Sequence, residues 1–513
     1  MRQRSDELSR NTESDLKRTN SIFVVLVILA LPRILRLVFP QIWLEQNYFI
    51  YIVHQLASGH IPYKEVMISY PAIPEIIYAF ANFFFQNTLW VSRLLNEFTI
   101  FILSLFIFIY VKRQFSWTTG LASSLVFSFN SLVFRYDLFA REFMECALIF
   151  GSVLLLQKRD HSNIYQIISA GCLLGLAFLC KQTAIISSAA LIIFLLMSGL
   201  NFKSVAILII SFLIFALSGM GIFYWAYGID FYLQAILFHI AVGGSGSDVF
   251  SQAILIGRCM DMALTLGIMG AITYVFVNRN PHQMKLPFLQ LIFITFFYLA
   301  ISGKFWPANG IEILVWISIP AGWFLICTIQ WINKNFQVGF KRADISIAIF
   351  GLIIFIVLSV WIFPLKNQNS LYGMFYGFGN LSIDSFNRVV DEVKRRTQPD
   401  DICVLNPAVA ALADRQDSFF YRENYGLMQT IKNKYKTEGA RAAIRIGADK
   451  HYLTLIRELA VLWLKPFINL AEQKKVRCVV PDIWFPLSGK DLQKLGFKQV
   501  LKSDGMKVWV PGD

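Results

Sequence analysis

The sequence predicts a polytopic α-helical membrane protein of about eleven transmembrane helices, with a small α/β domain at its C-terminal end. Three observations lead there. Of 513 residues, 56% are hydrophobic and 16% charged, whereas soluble domains average about 25% charged and 45–50% apolar. Apolar runs near the roughly 20 residues that cross a hydrocarbon core recur through the first two thirds of the chain. From about residue 366 onward, the composition changes abruptly to that of a soluble domain.

Residues 1–20 are polar and read as a cytoplasmic arm. The apolar run that follows is too long for a cleaved signal peptide and lacks a small-residue cleavage site, so it reads as a first anchor. Spans are expected at about 21–42, 91–111, 117–134, 140–157, 164–181, 184–200, 204–226, 252–277, 287–303, 311–332 and 344–364. Alternate joints (KRTN, VKRQ, QKRD, NFKS, NRNPHQMK and NKNFQVGFKR) are basic, while opposite joints carry little positive charge. Basic loops stay in the cytoplasm. The N-terminus is therefore inside and, with an odd number of crossings, the C-terminus is outside, as in a multi-pass protein of a bacterial plasma (inner) membrane.

Within the transmembrane module 21–365, one external segment is large. It covers about 43–90 and holds two amphipathic pieces, EQNYFIYIVHQLASG and PAIPEIIYAFANFFF, too short or too Pro-interrupted to span, which are expected to lie at the interface. The tail 366–513 alternates strand-like runs (DICVLN, VRCVVPDI, MKVWVP) with helix-like ones (IDSFNRVVDEVKRR, HYLTLIRELAVLWL), the pattern of an extracytoplasmic α/β unit.

The net charge of +14 fits Lys- and Arg-rich cytoplasmic loops. No zinc-ligand spacing and no basic stripe interleaved with aromatics point to nucleic acid. Of seven Cys, five (Cys146, Cys172, Cys180, Cys259, Cys327) lie in apolar runs as small buried hydrophobes. Cys403 and Cys478 are expected to be buried strand residues, a disulfide being the alternative. His54 and His60, at i and i+6, are poorly spaced for a shared metal site. The GGSGS run at 243–247 follows no strand and reads as an external loop.

Ionisable residues at membrane depth are costly and mark functional sites. Four clusters stand out: Glu45 beyond the first span; Arg135, Asp137, Arg141, Glu142 and Glu145 in FRYDLFAREFMECALIF; Lys181 at the end of the fifth span; and Lys304 and Glu312 outside the ninth and tenth. The topology brings all four to the outer face. Such a set suits transfer from a phosphorylated lipid, a carboxylate acting as general base and Arg or Lys holding the phosphate leaving group. Each residue also has a plainer reading. Asp137 and Arg141, at i and i+4, can pair with each other; Lys181 can snorkel; Glu65, Glu75 and Glu97 read as surface or structural residues.

The order of these residues resembles a known family. An acidic residue after span one (Glu45) is followed by Tyr48, ASGHIPY, YPAIPEIIY and SRLL; further on come GCLLGLAFLCKQTA and SGKFWPANGIEILVWISIP. This resembles the GT-C class of integral-membrane glycosyltransferases, in the protein O-mannosyltransferase and lipid A aminoarabinose transferase branch, over about 20–330. The resemblance implies a GT-C-like fold, a polyprenyl-phosphate sugar donor and inverting transfer on the outer face to an acceptor that is a lipid, glycan or protein. Carried over by residue, Glu45 matches the proposed base and Glu142 or Asp137 the second acidic position. Lys181 and Lys304 fall in segments that line the donor phosphate, and Arg141, from its position, is a further candidate for that role. No metal is assigned, although a divalent ion is compatible with the family. Two other readings are a polysaccharide polymerase or ligase acting on lipid-linked glycans, and a transporter or lipid flippase; no internal repeat supports the latter.

Overall fold

The computed structural model describes residues 24–34, 37, 41–42, 47–130, 132–133, 136, 140–157, 163–243, 249–277, 281–301, 307–336, 381–415, 423–439, 464–481, 487–503 and 506–512. Glu45, Asp137, Lys304, the 344–364 span and most of the GGSGS run lie outside the described residues.

The membrane part begins with α1 (Val24–Ile34) and a two-residue strand β1 (Gln41–Ile42). The segment that follows, expected to be external, folds as α2 (Asn47–Ala57) and α3 (Ile73–Phe85). The bundle follows: α4 (Thr88–Gln114), α5 (Trp117–Ser128), α6 (Arg141–Leu156), α7 (Ile164–Cys180), α8 (Ala184–Met197) and α9 (Phe202–Tyr227). It continues through α10 (Ile229–Ile240), α11 (Val249–Val277), α12 (Lys285–Phe296) and α13 (Gly310–Phe336). Among the described residues four helices are long and apolar enough to cross a membrane on these criteria alone: α4, α9, α12 extended to His282–Ile301, and α13. The chain is an integral membrane protein.

Local sequence sets the helix starts. The side chains of Asn87, Ser116, Asn163 and Asn201 each accept a backbone N–H of the first turn of α4, α5, α7 and α9, satisfying donors that a helix cannot satisfy itself. Packing does the rest. Helix α9 leaves Ile214, Leu217, Ile222 and Trp225 exposed, an outward face suited to lipid, whereas α13 runs through the bundle interior with Trp316 stacked on Phe150 at 4.4 Å between centroids. Small residues allow the closest approaches, as membrane helices require. A Cβ at Gly171 of α7 would meet Ser211 Cβ of α9 at 2.6 Å, and one at Gly270 of α11 would meet the Pro320 carbonyl of α13 at 2.2 Å. Arg33 of α1 pairs with Glu97 of α4 at 3.0 Å, both buried.

In the tail, β2 (Leu381–Ser382) pairs antiparallel with β1, tying the tail to the end of the first span. Then come α14 (Ile383–Arg396), β3 (Ile402–Val404), α15 (Pro407–Ala413), α16 (Glu423–Glu438), a helix over 464–472, β4 (Val476–Val479), α17 (Gly489–Lys494), β5 (Phe497–Ser503) and β6 (Met506–Pro511). The four long strands form one sheet, order β3-β4-β6-β5, with β3 and β4 parallel and the other pairs antiparallel. Cys403 and Cys478 are register partners, both buried, with no disulfide between them.

The tail sits on the external segment. Ile50 and Tyr51 of α2 and Leu89 share one apolar cluster with Phe386, Val389, Val409 and Val480 of the tail. Two polar contacts join the tail to the rest of the chain: His54 Nε2 lies 3.9 Å from Asp414 Oδ1, and Lys432 forms an ion pair with Asp230.

Candidate active site

Of the charged residues expected at one face, Glu142, Glu145, Lys181 and Glu312 meet in the structure. Glu142 opens α6, Lys181 is the residue that ends α7, Thr183 precedes α8, Tyr298 follows α12, and Asn309 and Glu312 open α13. Alternating helix direction brings all these ends together. Lys181 is 2% exposed, and its ammonium lies 2.8 Å from Glu142 Oε1, 2.8 Å from Asn309 Oδ1 and 3.3 Å from the Tyr298 hydroxyl. It also pairs with Glu312 Oε1. An ammonium has three protons, so four acceptors saturate it. Lys181 as placed can give a donor phosphate its charge but no further hydrogen bond.

Glu312 Oε1 accepts from three helices at once, since Tyr298 donates to it at 2.8 Å and Thr183 Oγ1 at 3.2 Å in addition to Lys181. Thr183 Oγ1 also lies 3.3 Å from Glu145 Oε1, and the other Glu145 oxygen has no hydrogen-bond partner among the described residues. Of the three carboxylates here, Glu142 is 8% exposed, Glu312 3% and Glu145 0%. Glu142 is therefore the least enclosed of the three.

A second ion pair locks the external segment onto the bundle. Arg141 pairs with Glu75 of α3, and its guanidinium lies 4.4 Å from the Tyr70 ring centre and 4.6 Å from that of Phe49. Glu75 is fully buried; burial pushes its carboxyl above the usual range, against the downward pull of Arg141. Ala140 is extended (φ −148°, ψ 123°) and α6 starts at Arg141 itself; the expected pairing of Arg141 with Asp137 falls on a residue outside the described ones.

The structure thus brings Glu142 and Lys181 into contact and sets Arg141 beside them on α6, while Glu45, Asp137 and Lys304 lie outside the described residues. Tyr298, Asn309 and Thr183 join the site as ordinary polar residues that no spacing rule singles out. Tyr48 donates to the Met67 carbonyl, and Tyr51 packs with the tail. Among the described residues, no group of three His, Cys, Asp or Glu is arranged to hold a metal; His54 faces Thr88 and Asp414 instead.

A helical membrane bundle with an external loop domain and charge gathered at one end has the fold of the GT-C class. The crystal structure of ArnT from Cupriavidus metallidurans bound to undecaprenyl phosphate matches with a TM-score of 0.59 at 12% identity, covering 95% of this chain and 96% of that one. The apo state of the same protein matches with a TM-score of 0.60 at 10% identity, over 96% and 98% of the two chains. The family model described as dolichyl-phosphate-mannose-protein mannosyltransferase matches residues 69–225. That segment contains Glu75, Arg141, Glu142 and Lys181. No curated protein matches the chain.

Proposed function

We propose that this protein is a membrane glycosyltransferase that moves a sugar from a polyprenyl-phosphate-linked donor to an acceptor on the extracytoplasmic face. The observation that carries the reading is the Lys181–Glu142 contact of 2.8 Å, made where the ends of five helices meet. The likeness to ArnT, whose structure holds undecaprenyl phosphate, and the mannosyltransferase model over 69–225 support it.

In this reading the acceptor hydroxyl or amine attacks the anomeric carbon as a carboxylate takes its proton. The bond from that carbon to the phosphate oxygen breaks, and the electron pair leaves with the polyprenyl phosphate. Glu45 is the proposed base, and Glu142 or Asp137 is the carboxylate across the site that orients the acceptor. Arg141 and Lys304, with the charge of Lys181, stabilise the phosphate as it departs. The N-terminus is cytoplasmic, and residues 366–513 form the extracytoplasmic domain over the site.

The test is incubation of the purified protein in detergent with a panel of radiolabelled polyprenyl-phosphate sugars and candidate acceptors, scoring polyprenyl phosphate released. Release from at least one donor supports the proposal, and none from any donor rejects it.

A further inference from the structure

We propose that Glu312 is a positioning residue of this site, holding the Lys181 ammonium so that Glu142 keeps a face open to the acceptor; this rests on the glycosyltransferase reading above. Glu312 stands in the first turn of α13, 3% exposed, and one oxygen of it gathers Lys181, Tyr298 and Thr183. These donors come from two chain segments, the α7–α8 connection and the turn after α12, so Glu312 fixes where α7 and α12 end relative to α13. Tyr298 itself lies in a π-helical turn, Phe297–Ile301. Such turns interrupt a helix at a cost and recur at functional sites; here the turn carries the hydroxyl that donates to Glu312.

The electrostatic argument is direct. A buried ammonium seeks compensating negative charge, and Lys181 pairs with two carboxylates, Glu142 and Glu312. With both present, its charge is shared and Asn309 Oδ1, at 2.8 Å, takes a further proton. Without the negative charge of Glu312, Glu142 is the remaining paired anion. The ammonium then closes onto Glu142 and occupies the lone pairs that an acceptor hydroxyl or amine would use. Glu312 touches no reacting atom in this scheme. It acts through Lys181 on Glu142.

Glu312→Gln keeps the side-chain shape and an oxygen for Tyr298 while removing the charge. In the donor-turnover assay this variant is expected to lower kcat on the order of 10–100-fold, the range that orienting partners of functional side chains contribute. Donor KM should stay within about threefold, and Glu312→Asp, which retains the charge, should recover part of kcat. A folded Glu312→Gln protein with unchanged kcat overturns the proposal. So does a variant whose loss lies wholly in donor KM, because Glu312 would then serve binding. If Glu312→Gln does not fold, Tyr298→Phe decides, since it deletes the hydrogen bond donated to Glu312 and the one accepted from Lys181 and so loosens the ammonium's placement with the charges kept: a severalfold drop in kcat supports the proposal, and no change overturns it. The wild-type control separates the two levels. Wild-type protein that releases polyprenyl phosphate from no donor defeats the glycosyltransferase reading and this role with it, whereas wild-type turnover with an indifferent Glu312→Gln defeats this role alone.

Discussion

Lys181 Nζ lies 2.8 Å from Glu142 Oε1, a contact between the last residue of one helical hairpin and the first turn of the helix before it. Both groups are almost entirely withdrawn from solvent. A pair of this kind stabilises little when whole and destabilises strongly when halved, because the survivor is a buried, uncompensated charge.

Lys181→Met should therefore cost stability as well as activity. It leaves Glu142 and Glu312 facing each other across the space of the ammonium, with a loss of about 3–5 kcal/mol. Thermal unfolding of the detergent-solubilised protein checks this. Wild-type stability in Lys181→Met would mean that the contacts at the end of α7 are not formed.

Arg141 and Glu75 should behave as a coupled pair. Arg141→Met strands the fully buried Glu75 carboxylate, at a cost of about 3–5 kcal/mol. Glu75→Gln combined with Arg141→Met should regain much of that loss, and the difference is the coupling that a double-mutant cycle isolates. Arg141→Lys is not a conservative change, since an ammonium cannot reproduce a planar guanidinium held against the Tyr70 and Phe49 rings. Additive single and double effects would show that the two side chains act independently.

The seat of the tail on α2 should weaken in acid. Burial holds the His54 imidazole below its ordinary value, partly opposed by Asp414 and reinforced by His60. A folded-state value below the unfolded one of about 6.5 means that the unfolded chain binds more protons, so stability falls as pH drops below that value. His54→Gln should flatten the fall in melting temperature between about pH 6.5 and 5. An identical acid slope in wild type and variant would remove His54 from the account.

Gly171 and Gly221 should respond in opposite ways to a methyl group. At Gly171 the new Cβ meets Ser211 Cβ at 2.6 Å and the Leu208 carbonyl at 2.7 Å, whereas at Gly221 nothing lies within 4 Å. Gly171→Ala should cost about 1–3 kcal/mol through overpacking, and Gly221→Ala should be neutral or stabilising by up to about 1 kcal/mol. Equal melting temperatures for the two would contradict the α7–α9 contact.

Much of this site was legible in the sequence, for a definite reason. The alternation of spans expected from the sequence puts Glu142, Lys181 and Glu312 at one end, and the three meet in the structure. What orientation leaves open is which charge meets which. Arg141 pairs with Glu75, 66 positions away, because the fold brings α3 to the start of α6, a contact that no local spacing announces. Glu75 and Glu97, read as surface or structural residues, are both buried in ion pairs. Tyr298, Asn309 and Thr183 gave no signal, since an isolated hydroxyl or amide near a helix end is common. The start of the tail was visible in its composition. Its seat on Ile50, Tyr51 and Leu89 depends on tertiary packing, which no local pattern encodes.

The most direct test of the central claim compares three variants in the polyprenyl-phosphate release assay: Glu45→Gln, Glu142→Gln and Asp137→Asn, each with donor binding measured separately. Removing a general base typically costs about 10²–10⁴-fold in rate. The account predicts that Glu45→Gln loses turnover on that scale and still binds donor, with a smaller loss in Glu142→Gln or Asp137→Asn. Normal turnover in Glu45→Gln beside a dead Glu142→Gln or Asp137→Asn would move the base to the other carboxylate, and full activity in all three would contradict carboxylate-driven transfer at this site.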